Sequence, residues 1–223
     1  MRASLHHVGE SRTPVAIIDN VWGDTALLVE LAASLGSFPP ATNSYPGLRR
    51  TIGRGDDGAL AYVNRLLERA APFVCKAFGV AGFRLGEASF SLITTPPSSL
   101  AAQQRAPHFD CLEGDRLALL HYLVPTAGTA FYRHRATGVE RVTSETADRY
   151  VGIAKMQAAS TAARYVLGSN DNYEQIGMVR GMRDRLAIYP GNILHSAIIA
   201  PDALLSDDPR VGRITSNIFV NCT

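Results

Sequence analysis

The stretch Leu117-Ala118-Leu119-Leu120-His121-Tyr122-Leu123-Val124-Pro125-Thr126-Ala127-Gly128-Thr129-Ala130-Phe131-Tyr132-Arg133-His134-Arg135 decides the architecture. Two runs, 117–124 and 128–135, flank the short turn Pro125-Thr126-Ala127. Each is too short for a typical helix, so both read as strands. Upstream, Phe83 to Ile93 also moves towards a period of two and reads as one or two strands. Downstream, strands are expected at about 174–179, 186–189, 192–199 and 212–220. The N-terminal part differs. Pro14 to Asn20 is a β-branched run suited to a buried strand. Asp24 then caps an amphipathic helix carrying Leu27, Leu28, Leu31 and Leu35, which Pro39 and Pro40 stop. Tyr45 to Arg50 reads as an ordered turn. A second helix is expected over about 57–78, with Leu60, Val63, Leu66 and Leu67 towards the core and Pro72 as a point of kinking or division. The alanine-rich segment 144–163 reads as a helical insert. Helices precede the strands and do not alternate with them. The expected fold is therefore α+β, mainly β: a jelly roll with flanking N-terminal helices, forming one domain over 1–223.

Composition narrows the function. The 223 residues carry 22 basic and 20 acidic side chains, a net charge of +2, and 46% are hydrophobic. No basic stripe stands out, so nucleic acid is not an expected partner. No apolar run approaches the roughly 18 residues that a membrane span requires, so a membrane is not expected either. Residues 1–10 lack the apolar core of a secretory signal. Cys75, Cys111 and Cys222 are odd in number and far apart, giving neither a disulfide framework nor a zinc pattern. The expectation is a cytoplasmic protein. His6 and His7 fall in a segment expected to be mobile.

The chemistry concentrates in Pro107-His108-Phe109-Asp110. In an extended chain residues i and i+2 share a face, so His108 and Asp110 can reach one cation while Phe109 packs the other way. An imidazole and a carboxylate are two of the three ligands of a facial triad that leaves positions open on a non-haem iron(II). Three residues compete to be the third ligand. His195 follows the Pro190-Gly191 turn and is preferred. His121 reads more simply as a strand histidine bonded to a neighbour. His134 lies between Arg133 and Arg135, whose charge disfavours a cation, and is expected to be solvated or to face a substrate. Arg213 and Thr215 share a strand face. If that face is interior, the guanidinium needs an anion, and its planar fork suits a carboxylate. Otherwise it snorkels to solvent or pairs with Asp207 or Asp208.

In order along the chain, these pieces are His108/Asp110, Tyr122-Leu123-Val124, Gly128-Thr129-Ala130-Phe131, Pro190-Gly191 with His195, and Gly212-Arg213. Together they resemble the iron(II)/2-oxoglutarate-dependent oxygenases, in particular the prolyl-4-hydroxylase-like branch. The resemblance spans most of the chain and implies a double-stranded β-helix. It implies that His108, Asp110 and His195 ligate iron(II). It also implies that Arg213, helped by Thr215 and Tyr122, holds the far carboxylate of 2-oxoglutarate as co-substrate. The implied activity uses dioxygen to hydroxylate a C–H bond of a small molecule, an amino acid or a peptidyl side chain, releasing succinate and CO2. A carboxylate at 110 speaks against a halogenase, where a small residue makes room for halide. The chain departs from the family pattern in three places: the interval from 195 to 213, position 124, and the helical insert 144–163 between the strands that should bracket the site. Eighteen residues separate His195 from Arg213, the excess being the loop-like 201–209, and Val124 stands where the family has asparagine. The insert 144–163 would form a lid or a substrate wall. The alternative is a catalytically inactive jelly-roll module that binds a metal or small ligand. A third reading makes the arginines at 133, 135, 141, 180, 183 and 185 a surface for an acidic partner.

Overall fold

The computed structural model describes residues 1–223. Ten strands and three helices form: β1 (Arg2–Val8), β2 (Thr13–Asp19), α1 (Thr25–Ser34), β3 (Gly47–Thr51), α2 (Asp57–Phe78), β4 (Phe83–Ile93), β5 (Arg116–Tyr122), β6 (Thr126–His134), α3 (Ala147–Ser160), β7 (Tyr173–Gly181), β8 (Arg185–Pro190), β9 (His195–Ala197) and β10 (Ile214–Cys222). The strands make two sheets. The larger has the order β1-β2-β8-β5-β10-β4-β3, the smaller β7-β6-β9, and every pairing is antiparallel. This is the expected jelly roll.

Strand alternation sorts the side chains into three layers. Along β5, Ala118, Leu120 and Tyr122 point between the sheets, where they meet Phe131, Ala187, Tyr189 and Phe219. Leu117 and Leu119 point the other way, into the core beneath α1 and α2. Helix α1 begins where the Asp24 carboxylate accepts from Ala26 N at 2.9 Å. It buries Thr25, Leu28, Val29 and Ala32. Leu27, expected in the core, lies off that stripe and is 67% exposed. Helix α2 buries Ala59, Tyr62, Val63, Leu66, Leu67, Ala70 and Val74 at helical spacing and runs unbroken past Pro72. It stops at Gly79, whose φ of +66° places it in the left-handed region that glycine tolerates.

Two readings of the sequence are corrected here. The segment holding His6 and His7 is not mobile: β1 pairs along its whole length with β2. Its side chains are exposed on both faces, so main-chain bonding rather than apolar pattern holds it. The Tyr45 to Arg50 region is more than a turn, because Gly47–Thr51 forms the edge strand β3 against β4.

The helix within the insert, α3, packs on the outside of the smaller sheet. Tyr150 and Ala154 join Ala130, Tyr132, Tyr173 and Leu194 in a separate apolar cluster. No residue of α3 lines the cavity between the sheets, so the helix is neither a lid nor a substrate wall. It acts from behind: the Tyr150 hydroxyl donates to the Pro107 carbonyl at 3.0 Å and so braces the segment that carries His108.

Candidate metal and anion site

A cavity of about 270 Å³ opens between the two sheets. Its floor is β10 and the residue just before it: Arg213, Thr215, Asn217 and Phe219 all line the cavity. The site is built mainly by backbone bonds. His108 N donates to His195 O at 2.9 Å and His195 N returns a bond to His108 O at 2.8 Å, adding one rung to the smaller sheet beyond β9. Asp110 N donates to Gly191 O at 2.7 Å, and Gly191 N donates to Arg116 O at 2.8 Å. The 107–110 segment is thereby held extended against the Pro190-Gly191 turn. A Cβ at 191 would stand 2.9 Å from Cys111 Sγ and 3.5 Å from Asp110 Cβ, so glycine permits this approach.

The result gathers His108, Asp110 and His195, whose nearest ligating atoms all lie within 4.8 Å of one another. Nε2 of His108 lies 3.9 Å from Asp110 Oδ1, and Nε2 of His195 lies 3.6 Å from Asp110 Oδ2. The Nδ1 of His195 is 2.9 Å from the Ile193 carbonyl. A carbonyl only accepts, so Nδ1 carries the proton and the Nε2 lone pair faces the cluster. Tyr189 packs on the His195 ring at 4.9 Å between centroids. Enclosure in the pocket, with His195 and Arg49 adding positive charge, holds the His108 imidazole well below its ordinary value. The same enclosure raises the Asp110 carboxyl, against the opposing pull of His195, Arg49 and Arg116. Two imidazoles and one carboxylate converging from one side form a donor set that suits a divalent first-row metal.

The alternative ligands are not part of this cluster, and strand alternation explains why. His121 lies on the β5 face turned towards the helices. It is fully buried, with Nδ1 2.9 Å from the Tyr62 hydroxyl and Nε2 3.0 Å from Asp184 Oδ1. His134 lies on the β6 face turned towards α3. It is neither solvated nor in the cavity, but buried between Thr137 Oγ1 at 2.8 Å and Gln157 Oε1 at 2.7 Å.

Arg213 and Thr215 line the same cavity. The Nε of Arg213 is buried without a hydrogen-bond partner, and Nη2 makes only a long 3.4 Å contact with Gly128 O. Neither Asp207 nor Asp208 pairs with it, and Asp208 faces Arg210 instead. A guanidinium in this state fits an exogenous carboxylate. Thr215 Oγ1 donates to Asn217 Oδ1 at 2.8 Å. Tyr122 stands one layer back. It is fully buried, and its hydroxyl is 2.7 Å from Thr129 Oγ1, while Thr129 itself lines the cavity. Three of the six arginines weighed as a partner surface have acidic or amide partners of their own. Arg133 pairs with Glu10 and Glu140, Arg185 with Asp19, and Arg141 bonds Asn192.

Among the cavity residues that the sequence did not assign to the site are Tyr45, Arg49, Arg116 and Tyr189. Tyr189 carried a signal, since it precedes the Pro-Gly turn on the face opposite Ile188. Arg49 and Tyr45 carried none, because β3 has no alternating pattern. The Tyr45 hydroxyl is raised by burial, against the pull of Arg213 and Arg49. That of Tyr189 is raised well above its ordinary value by burial and by Asp110. Both phenols therefore stay protonated near neutral pH.

Comparison with known proteins agrees with this architecture. The epimerase SnoN from nogalamycin biosynthesis, solved in complex with Fe3+, alpha ketoglutarate and nogalamycin RO, superposes with a TM-score of 0.53 at 12% identity, covering 95% of this chain and 80% of SnoN. HygX from Streptomyces hygroscopicus, with nickel and 2-oxoglutarate bound, gives 0.52 at 12% identity, covering 95% and 84%. The viral collagen prolyl hydroxylase of Paramecium Bursaria Chlorella virus-1, as its 2OG complex, gives 0.50 at 10% identity, covering 94% and 96%. The likeness to this oxygenase superfamily is one of fold, the double-stranded β-helix. No curated protein sequence matches the chain. One family model spans residues 1–220, and by that match the chain belongs to DUF6445, a family of unknown function.

Proposed function

We propose that this protein is an iron(II)- and 2-oxoglutarate-dependent dioxygenase that hydroxylates a C–H bond of a small molecule, an amino acid or a peptidyl side chain. One observation carries the reading. A single cavity holds a His-Asp-His donor set together with a part-buried arginine whose Nε is buried and which lacks an anionic partner.

His108, Asp110 and His195 would hold the iron, and the orphaned Arg213 Nε supports a site for the distal carboxylate of 2-oxoglutarate. Bound there, iron(II) would supply the activation of dioxygen, coupled to decarboxylation of 2-oxoglutarate to succinate and CO2. The chain contributes position and dryness. The Ile193 carbonyl fixes the tautomer of His195, and the rung between His108 and His195 fixes the spacing of the two imidazoles. Arg213 and the Thr215 hydroxyl orient the co-substrate. Thr129, backed by Tyr122, closes one wall. Ala118, Leu120 and Phe219 exclude water from the reacting face.

The test is anaerobic addition of iron(II) and 2-oxoglutarate to the purified protein, followed by admission of air. A weak visible charge-transfer band, then slow succinate release, is the expected result. A band without succinate on prolonged exposure to air, over a panel of small-molecule and peptide substrates, identifies an inert binding module instead. No band and no succinate overturns the proposal.

A further inference from the structure

The cavity holds three guanidinium groups, and the reaction proposed above uses only one of them. Arg49, Arg116 and Arg213 line the cavity, against the carboxylates of Asp110 and Glu87. An iron(II) ion would add two positive charges and 2-oxoglutarate two negative ones. One positive charge is then left without a counterion in an enclosed space, which is a costly arrangement.

The excess is located by geometry. Arg49 has a counterion at the rim, Glu87 Oε1 at 3.5 Å. Arg116 has none: no carboxylate comes within ion-pair distance of it, and its Nε is buried without a hydrogen-bond partner. Both guanidinium groups stand over the Phe219 ring, Arg116 at 4.9 Å and Arg49 at 5.9 Å from its centroid. On β10, Phe219 lies six residues beyond Arg213, roughly 20 Å along the strand at about 3.3 Å per residue. The register sets Arg49 level with Thr215, so its side chain reaches along the cavity floor towards Phe219. The Asp110 backbone is linked through Gly191 to the Arg116 carbonyl, so the unengaged guanidinium belongs to the strand that positions the metal-site carboxylate.

We propose that the oxidised substrate is a small organic acid whose carboxylate is gripped by Arg116 and Arg49 over the face of Phe219. The planar fork of arginine matches a carboxylate through two parallel bonds, and the Phe219 face offers a stacking surface to a flat acid. The modest cavity favours a small molecule. This inference rests on the oxygenase reading, since that reading assigns Arg213 to the co-substrate.

The test uses the full chain and matched pairs of acid and primary amide, such as benzoate with benzamide and N-acetylglycine with its amide. Thermal shift and calorimetry are recorded with manganese(II) and saturating 2-oxoglutarate, and again without either. At least one acid is expected to raise the melting temperature while its amide does not. Arg116→Gln should weaken that acid at least about tenfold, Arg116→Lys less and Arg49→Gln to a smaller degree, with 2-oxoglutarate affinity unchanged. Arg213→Gln should retain the acid and lose 2-oxoglutarate. The inference is overturned if no acid binds, if amides bind equally, or if the acid survives Arg116→Gln. Circular dichroism checks that the Gln variant folds, and the Arg116→Lys and Arg49→Gln variants keep the test decisive if it does not. Acid binding without any succinate release would leave this site standing and end the oxygenase reading. Succinate release without acid binding would do the reverse.

Discussion

His108 and His195 exchange both of their main-chain hydrogen bonds, at 2.9 and 2.8 Å, although 87 positions separate them in the chain. Their rings lie 4.3 Å apart between centroids. Loss of either imidazole leaves this rung intact, since the rung is made by backbone. His108→Ala and His195→Ala should therefore fold normally by circular dichroism. Each should lose iron(II) affinity by about 100-fold or more, beyond the 10–100-fold typical of outer-shell changes. Anaerobic iron titration checks this, and an unchanged affinity in either variant removes that residue from the ligand set.

Arg213→Ala separates co-substrate from metal. The lost charge-assisted pair should cost about 2–4 kcal/mol in an enclosed site, a rise of some 30- to 700-fold in the 2-oxoglutarate requirement. Iron affinity measured without 2-oxoglutarate should not change. Thr215→Val should give a smaller effect in the same direction.

Gly191→Ala places a methyl group 2.9 Å from Cys111 Sγ and 3.5 Å from Asp110 Cβ. Overpacking of this kind costs about 1–3 kcal/mol. Because the strain falls on the 110–111 segment, iron affinity should drop along with the melting temperature. A Gly152→Ala control, where a Cβ meets nothing, should change neither binding nor turnover.

The Tyr62–His121–Asp184 chain predicts how stability depends on pH. Burial depresses the His121 imidazole below its ordinary value of 6.5, and Asp184 opposes this only in part. The unfolded chain therefore takes up a proton that the folded chain refuses. Stability is full above about pH 6.5 and is lost as pH falls towards the folded value. Asp184 acts in the same sense at lower pH. Burial alone would raise its carboxyl, but hydrogen bonds from His121, Gly23 and Trp22 bring it below its ordinary value. Melting curves between pH 8 and 4 should show a falling Tm, and His121→Gln should flatten the upper part of that fall. Asp184→Ala strands His121 and the two backbone donors, and each buried group left unsatisfied should cost about 1–3 kcal/mol.

The gathering of His108, Asp110 and His195 was legible because its signal is local. His-x-Asp shares one face in any extended chain, and the Pro190-Gly191 turn marks where His195 enters its strand. The choice among three histidines is equally a matter of parity. On β5 the inward set is 118, 120 and 122, and on β6 it includes 129 and 131, so His121 and His134 point away once the sheets are placed. That placement cannot be read from the strands singly. Arg49 and Tyr45 were hidden for another reason. An edge strand whose residues are only partly buried shows no apolar alternation, so nothing in Gly47–Thr51 announces a cavity wall. The first strand was missed on the same ground: six of its seven residues are exposed on both faces. The insert was recognised as helical from its alanines, but which side of the sheet it covers depends on Ala130 and Tyr132 offering it an apolar surface.

Tyr150 gives that covering helix a measurable role. Tyr150→Phe removes the bond to the Pro107 carbonyl and should lower stability by about 1 kcal/mol. Iron affinity should fall modestly while the 2-oxoglutarate requirement stays as it was. Equal effects on both would place α3 nearer the cavity than its packing does.

The carbonyl-to-amide ties from 108 to 195 and from 110 to 191 have a consequence for loading. They hold the three proposed donors in a ready-cast mould, so on the metal-site proposal capture of an ion needs no refolding of the barrel. Stripping with a chelator and resupply should be quickly reversible, with the speed of exchange set by passage through the mouth of the cavity rather than by rearrangement of the scaffold.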